Sequence, residues 1–234
     1  MKCGQSDQRN LEFSKVFSEK EYFLRLVRRP DPVILDVGGH RGESIMFFKE
    51  IFPDSLVHSF EPDPENFVHL DKMARRMGAY AHNVAISDVV GAVDFYAQDA
   101  THLGGLYPIN RESSDSLGYA ASARNRSISV EATTLQSFIE FNRLPRVDLL
   151  KIDAQGAEEL VLRGAGNRLD TVVNISVECS LFDFYGHARS LYGVESVMNA
   201  HGFRLWDIYK ISKNLKNWRT DWAELVYIRS SPEN

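Results

Sequence analysis

The sequence is poor in cysteine, in long apolar runs and in surplus basic charge. Its 234 residues include two cysteines, Cys3 and Cys179, which is too few for a disulfide framework or a cysteine metal site. No apolar stretch approaches the about 20 residues that span a bilayer, and residues 1–10 lack the apolar segment of a signal peptide. We therefore expect a cytoplasmic protein that contacts no membrane and binds no metal.

The charge balance is acidic. Lysine and arginine number 27 against 32 aspartate and glutamate residues, which gives a net charge of −5. Nucleic-acid binding needs a basic stripe that faces phosphates, and the basic residues here are scattered. We expect no nucleic-acid partner, and the charge also weighs against polyanionic substrates. The oligomeric state is left open.

Short apolar runs alternate with segments of helical periodicity. Parallel strands buried on both faces are mostly apolar and do not alternate with polar residues. Residues 33–37 and 56–60 are short runs of this kind, and each of these runs precedes a helical pattern. The sequence predicts an α/β fold with a single doubly wound, mostly parallel sheet. A closing antiparallel strand is expected at its edge. Further strands are predicted at residues 81–86, 92–96, 128–132, 147–153, 172–177, 203–209 and 223–229.

No repeat or linker divides the chain. We expect residues 1–30 to form an N-terminal helical extension and residues 31–234 to form one cofactor-binding domain. Asp63 and Pro64 fit an N-cap followed by a first-turn proline, which predicts the start of a helix. Thr133 and Gln136 fit a capping box that opens a helix through Phe141. Residues 99–127 are rich in Gly, Ser, Arg and Asn, and so long a stretch without periodicity is either functional or disordered.

The segment after the first strand, residues 36–42, reads Asp-Val-Gly-Gly-His-Arg-Gly. In a doubly wound sheet the ligand lies outside the carboxyl ends of the strands, where glycines let it approach the backbone and the following helix. A dinucleotide fingerprint requires G-x-G-x-x-G, but counting from Gly38 puts His40 and Glu43 at the second and third glycine positions. A nicotinamide-dependent dehydrogenase is therefore a disfavoured hypothesis.

Two carboxylates at strand ends favour a cationic nucleoside ligand. Asp36 would repel a pyrophosphate but suits a positive charge, and Glu61, after the second strand, can accept hydrogen bonds from both ribose hydroxyls. S-adenosylmethionine carries a sulfonium and an ammonium group, and it is the cofactor that these features favour. The plain alternative is that both carboxylates only cap helices or turns.

Five segments form an ordered set of motifs along the chain. They are Ile-Leu-Asp-Val-Gly-Gly-His-Arg-Gly at 34–42, Phe-Glu-Pro at 60–62, Val-Ala-Ile-Ser-Asp at 84–88, Thr-Leu-Gln-Ser-Phe at 134–138 and Leu-Lys-Ile-Asp-Ala-Gln-Gly-Ala-Glu at 150–158. Together they resemble the FkbM-type methyltransferase family, and the combination is more specific than the glycine motif alone, which many nucleotide-binding folds share. The resemblance implies a class I S-adenosylmethionine-dependent fold and methylation of a hydroxyl on a saccharide or small natural product.

The resemblance also implies a set of cofactor-binding residues. Asp36, Gly38 and Gly42 would line the methionine end, and Glu61 would bind the ribose. The adenine would lie against Ala85, Ile86 and Asp88. Gly39 and Pro62, which adjoin Gly38 and Glu61, complete the expected set.

Three residues are candidates for the catalytic base. Asp153 would stand at the catalytic strand end, Glu178 is expected at the end of the next strand, and His102 lies in the long loop with a suitable ordinary pKa of about 6.5. For Asp153, pairing with Lys151 on the same strand face is the structural alternative.

The chain departs from the family pattern at three positions. His40 stands where the family has Asn, Gln136 where it has Asp, and Gln155 where it has Glu. An amide cannot act as a base and is a poor ligand for a divalent cation. The second hypothesis is therefore a catalytically silent cofactor-binding or interaction protein of the same fold.

Acceptor specificity is expected to reside in the 99–127 loop, the N-terminal helix and the last hairpin. Arginines in the loop could bind an anionic acceptor, and tryptophans could stack on a sugar ring. The arginines are Arg111, Arg124 and Arg126, and the tryptophans are Trp206, Trp218 and Trp222.

Overall fold

The computed structural model describes residues 5–186 and 190–229, and within them it has eight α-helices and ten strands. Cys3 lies outside the described residues. The helices are α1 (Gln5–Val16), α2 (Glu19–Val27), α3 (Glu43–Ile51), α4 (Pro64–Met77), α5 (Tyr119–Ser122), α6 (Leu135–Phe141), α7 (Glu158–Ala165) and α8 (Ser190–Ala200). The strands are β1 (Val33–Val37), β2 (Leu56–Phe60), β3 (Tyr80–His82), β4 (Ala85–Ile86), β5 (Gly91–Ala97), β6 (Arg126–Thr133), β7 (Val147–Ile152), β8 (Val172–Ser180), β9 (Phe203–Lys213) and β10 (Thr220–Arg229).

Seven strands form one sheet in the order β3-β2-β1-β7-β8-β10-β9. Neighbours from β3 to β8 pair in parallel, and β10 runs antiparallel between β8 and β9. The predicted α/β class, with its mostly parallel sheet and antiparallel closing strand, is confirmed. The structure adds a second sheet of three strands, β4-β6-β5, which the sequence did not indicate.

The third apolar run is divided between the two sheets. Residues 81–86 were expected to form one strand, but the chain leaves the large sheet after β3 and joins the small sheet at β4. At the break the Asn83 amide donates to the carbonyls of Glu61 (2.8 Å) and Pro62 (3.1 Å). These bonds redirect the chain across the end of β2. The strand predicted at residues 92–96 is present as β5, which pairs antiparallel with β6.

A layer of helices covers each face of the large sheet. On one face Phe23 of α2, Phe48 of α3 and Leu70 of α4 pack on Ile34 and Leu149. On the other face α6, α7 and α8 pack on the alternate residues of the same strands, among them Leu35 and Leu150. This alternation follows from the two-residue period of a strand and explains why β1 and β7 carry apolar residues on both faces. Helix α2 packs in the same core cluster as β1. The domain boundary expected near residue 30 therefore stays a prediction.

The helix start signals are confirmed for α4 and are displaced by one residue for α6. The Asp63 carboxylate accepts the N–H of Glu65 (2.8 Å), and Pro64 occupies the first turn of α4. For α6 the N-cap is Thr134, whose side chain accepts the N–H of Ser137 (3.1 Å). The expected cap at Thr133 is wrong because that residue still pairs with β4 as the last residue of β6.

The 99–127 segment is packed, so the disordered alternative is wrong for it. A 3₁₀ turn spans Thr101–Leu103, and the loop buries Ile109 and Ala120 against Phe184 and Tyr185. The carboxylate of Asp115 accepts three backbone N–H groups within the loop, at 2.7 to 3.0 Å. The loop therefore forms a packed layer above the sheet.

The longest helix that the structure describes is α4, with 14 residues. Crossing a bilayer takes about 20 apolar residues. Among the described helices, none could span a membrane.

Gly38 and Gly78 provide a matched test of how tightly the strand ends pack. Both have positive φ, but a Cβ at Gly38 would lie 1.9 Å from the Asp153 carbonyl oxygen, whereas a Cβ at Gly78 would meet nothing within 4 Å. We expect Gly38→Ala to lower the free energy of unfolding by about 3 kcal/mol or more and Gly78→Ala by about 1 kcal/mol. Urea denaturation measures both, and equal losses would contradict the close packing at Gly38.

Candidate active site

The strand order reverses between β1 and β7, which makes their carboxyl ends the expected place for a ligand. Backbone hydrogen bonds hold the strand ends together. Gly38 and Gly39 both donate to the Phe60 carbonyl (3.0 and 2.9 Å), and Asp153 donates to the Val37 carbonyl (2.9 Å). A cleft of about 880 Å³, its open mouth included, lies at this point.

Six of the nine predicted cofactor residues line this first cleft. Val84 extends the apolar wall of predicted residues, and the loop residues Thr101 and His102 face them. The wall combines a glycine turn, a carboxylate and an apolar strand. The six predicted residues are Gly38, Gly39, Glu61, Pro62, Ala85 and Ile86.

The other three predicted cofactor residues lie outside the described lining of the first cleft. Asp36 is fully buried beneath the strand ends. Gly42 precedes α3 and packs so closely on Met73 that a Cβ there would lie 2.7 Å from that side chain. Asp88 is exposed. Direct cofactor contact stays a prediction for all nine residues, and these three lack the support of a place in the cleft lining.

Glu61 is the buried carboxylate of the first cleft, with 5% of its surface exposed. Its two oxygens accept the N–H groups of His40 (2.8 Å) and Asp63 (2.9 Å). Burial raises the pKa of Glu61 to about 8, although these two hydrogen bonds oppose the shift. Each oxygen keeps a second lone pair that can accept from a ligand hydroxyl.

Lys151 lies between two carboxylates below the cleft. Its Nζ is 3.6 Å from Asp36 Oδ1 and 3.9 Å from Asp153 Oδ2, and the Ser59 hydroxyl donates to Asp36 Oδ2 (2.6 Å). Burial by itself lowers the pKa of Lys151, but the surrounding carboxylates, Asp36 foremost, raise it above its usual value. Lys151 is therefore charged, and its pairing with Asp153 coexists with the position of Asp153 at the cleft.

A second cleft of about 1100 Å³, mouth included, adjoins the first. His102, Asp153 and Gln155 line both clefts. The third candidate base, Glu178, lines only the second. The structure thus brings all three predicted catalytic residues to one cavity wall, although they come from a loop and two strands.

Glu178 lies inside β8, not at its end as expected. The strand continues to Ser180 because β10 pairs with it as far as Trp222. Burial, with the charges of Asp153 and Glu224, raises the pKa of Glu178 well above its usual value. Glu178 therefore holds a proton at neutral pH, which suits a hydrogen-bond donor better than a base.

The pKa of His102 shifts in the opposite direction to that of Glu178. Burial, with help from His40, lowers the pKa of His102, and Asp153 opposes the shift. The imidazole is therefore neutral at pH 7 and can accept a proton. A hydrogen bond between His40 Nε2 and Thr101 Oγ1 (2.9 Å) attaches the 3₁₀ turn of the loop to the glycine motif.

Gln155, which departs from the family pattern, and Tyr185, to which sequence reasoning gave no role, complete the junction of the clefts. The side-chain amide of Gln155 donates to Asp153 Oδ1 (2.5 Å), and the Tyr185 hydroxyl donates to the side-chain oxygen Oε1 of Gln155. Tyr185 was missed because nothing in its local sequence relates it to Asp153. Gln136 lies on α6 near Glu140, outside the described linings of both clefts.

The loop arginines do not face the clefts. All three are exposed; Arg124 pairs with Asp99 (2.9 Å) and Arg126 with Glu65 (3.5 Å). Neither these two nor Arg111 lines a described cleft, so the expectation that they bind an anionic acceptor is unsupported. Trp222 lines the second cleft. Trp206 and Trp218 are exposed, outside both described linings.

Comparison with known proteins gives matches over most of the chain. A family model described as Methyltransferase FkbM domain matches residues 36–205. The 2-O-methyltransferase NoeI of Sinorhizobium fredii (strain NBRC 101917 / NGR234) is 32% identical over 173 residues, which cover 69% of this chain and 69% of that protein. Methyltransferase 1 of Beauveria bassiana (strain ARSEF 2860) is 30% identical over 175 residues, which cover 69% of this chain and 70% of that protein.

Among solved structures, methyltransferase FkbM from Methylobacillus flagellatus KT is similar with a TM-score of 0.54 at 13% identity. The match covers 85% of this chain but 44% of that one, so the chain spans less than half of that longer protein. At this identity the likeness concerns the fold alone.

Glu61 should make stability depend on pH. Because its pKa rises from 4.5 unfolded to about 8 folded, the folded state binds the extra proton between these values, so its contribution to the free energy of unfolding falls as pH rises through this window. We expect urea denaturation from pH 5 to 8 to show a smaller decline in Glu61→Gln than in the parent. The buried Glu158 and Glu178 keep part of the slope in both proteins, and identical slopes would contradict the raised pKa of Glu61.

Proposed function

The chain belongs to the FkbM methyltransferase family, and from this premise we propose that it transfers a methyl group from S-adenosylmethionine to a hydroxyl of a saccharide or small natural product. Membership makes it an S-adenosylmethionine-dependent methyltransferase. The observation that carries the finer proposal is the meeting of two clefts at Asp153, one suited to the cofactor and the other large enough for an acceptor.

The first cleft fits the cofactor in size and in chemistry. Its volume of about 880 Å³ suits a nucleoside joined to an amino acid. Glu61 offers free lone pairs to ribose hydroxyls, and the apolar residues Val84, Ala85 and Ile86 suit an adenine ring. The acidic floor around Asp153 complements a positive charge at the methyl-donating end.

The second cleft fits a hydroxylated ring. Aromatic side chains, among them Tyr119 and Trp222, line it and can pack on the apolar face of a sugar. No lysine or arginine occurs in its described lining, so an acceptor without negative charge is favoured. The name of the relative NoeI, a 2-O-methyltransferase, supports oxygen as the methylated atom.

The bound cofactor supplies an electrophilic methyl group on a positively charged sulfur. The protein has to align the acceptor oxygen behind that methyl and take the hydroxyl proton while the C–O bond forms and the C–S bond breaks. Asp153 and His102 both line the two clefts, and each can accept this proton. The loop residues Thr101, His102 and Gly104 to Leu106 line one side of the first cleft.

Replacing Glu61 tests the cofactor site. We expect Glu61→Ala to weaken the binding of S-adenosylhomocysteine roughly tenfold to a hundredfold, because hydrogen bonds to a buried carboxylate are lost. Isothermal titration calorimetry measures the affinity, and thermal denaturation verifies folding. Trp222→Ala is the matched control and should keep the parent affinity, since Trp222 lines only the second cleft. Absence of any binding by the parent protein would refute the proposed cofactor.

Replacing Asp153 tests transfer. With radiolabelled S-adenosylmethionine and a panel of neutral, amino and acidic saccharides, we expect methylation of a neutral or amino acceptor by the parent protein. Asp153→Asn should reduce the rate by about a hundredfold or more while S-adenosylhomocysteine still binds. Cofactor binding without transfer to any member of the panel would favour the catalytically silent alternative.

A further inference from the structure

Gln155 connects Asp153 to Tyr185 where the two clefts meet. The Gln155 Nε2 donates to Asp153 Oδ1 (2.5 Å), and the Tyr185 hydroxyl donates to Gln155 Oε1. We propose that Gln155 is a positioning residue that fixes the carboxylate of Asp153 for the transfer step, and that Tyr185 fixes Gln155. The inference rests on the proposed function in giving Asp153 a role in that step.

The amide has one orientation that satisfies both neighbours. Burial raises the pKa of Tyr185 well above its usual value, so its hydroxyl stays protonated and can donate. A carboxylate at Asp153 can only accept. Gln155 therefore presents its oxygen to Tyr185 and its nitrogen to Asp153, and a flip of the amide would break both bonds. A side chain without both a donor and an acceptor could not make this connection.

The connection selects which oxygen of Asp153 is free for an acceptor. Oδ1 is held by Gln155, while Oδ2 lies 3.9 Å from Lys151 Nζ. The hydrogen bond and the ion pair act on opposite oxygens, so together they restrict rotation of the carboxylate. Oδ2 receives no close hydrogen bond from these two partners, so its lone pairs can accept a proton.

The backbone around Gln155 is packed closely enough to hold this arrangement. Gln155 and Gly156 have positive φ values of 51° and 98°. A Cβ added at Gly156 would lie 2.7 Å from Tyr185 Cβ, and one added at Gly105 would lie 2.7 Å from the backbone carbonyl oxygen of Gln155. Tyr185 is also bridged through its backbone to Ile109. The 99–127 loop and the segment after β8 thus clamp the turn from both sides.

The surrounding charges explain why a neutral side chain is suited to position 155. Asp153 already faces carboxyl groups from three elements, Glu158 on α7, Glu178 on β8 and Glu224 on β10. Burial raises the pKa of each of these three groups. The ammonium of Lys151, which is shared with Asp36, is a positive charge beside Asp153, and the imidazole of His102 beside His40 is neutral. A further carboxylate at residue 155 would repel the charged form of Asp153.

Three substitutions test the inference. Gln155→Glu adds a like charge, Gln155→Ala removes both hydrogen bonds, and Tyr185→Phe removes the donor that orients the amide. Gln136→Glu is the matched control, because it adds the same charge on α6 outside both described linings. Carbon-13 NMR of labelled aspartate, with the Asp153 signal assigned by its loss in Asp153→Asn, gives the pKa of Asp153 in each variant without an acceptor.

We expect Gln155→Glu to raise the pKa of Asp153 by at least about one unit and Gln136→Glu to leave it unchanged. With the acceptor found in the saccharide panel, the acidic limb of the kcat profile should move to higher pH in Gln155→Glu. In Gln155→Ala kcat should fall about 10- to 100-fold, and Tyr185→Phe should lose less. Parent-like titration and kcat in all three folded variants would overturn the inference.

The two proposals fail in different ways. If the parent protein methylates no acceptor, the proposed function fails, whereas the NMR titration still reports whether Gln155 controls Asp153. If transfer occurs and depends on Asp153 but not on residue 155, the proposed function stands and the positioning role of Gln155 is refuted.

Discussion

The burial of one lysine organises the centre of this protein. Lys151 has 17% of its side chain exposed and lies between the carboxylates of Asp36 and Asp153. Removing one partner of a buried ion pair leaves an uncompensated charge, which costs far more than a surface pair contributes. The strands that carry these residues must therefore keep their register. Asp36 pairs in register with Lys151, and Lys151 with Ser176 of β8, so the constraint crosses three strands of the sheet.

The ion pair of Lys151 and Asp153 lies where the two clefts meet. Asp153 follows β7 immediately, so the carboxylate that faces Lys151 below also faces the cavities above. The 99–127 loop and the segment after β8 fold over this point and contribute aromatic and polar side chains to the second cleft. The two adjoining clefts thus form at one edge of the sheet.

The sequence predicted the features that depend on neighbouring residues. The glycine turn after β1, the carboxylate after β2 and the cap of α4 at Asp63 are local signals, and the structure has each of them. The cap of α6 and the end of β8 were misplaced because strand pairing, which is a long-range property, decides how far those strands run. Tyr185 could not be predicted at all, because the path of the chain after β8 brings it to Gln155.

The raised pKa values of the buried carboxyl groups have an electrical consequence for the whole site. Glu61, with a pKa of about 8, and Glu158, with a pKa of about 7, carry protons for much of the time at neutral pH. The clefts are thus less negative at neutral pH than the number of their acidic residues suggests. A positive charge bound beside these carboxyl groups would favour their ionised forms, so its binding would release protons to the solvent and would depend on pH.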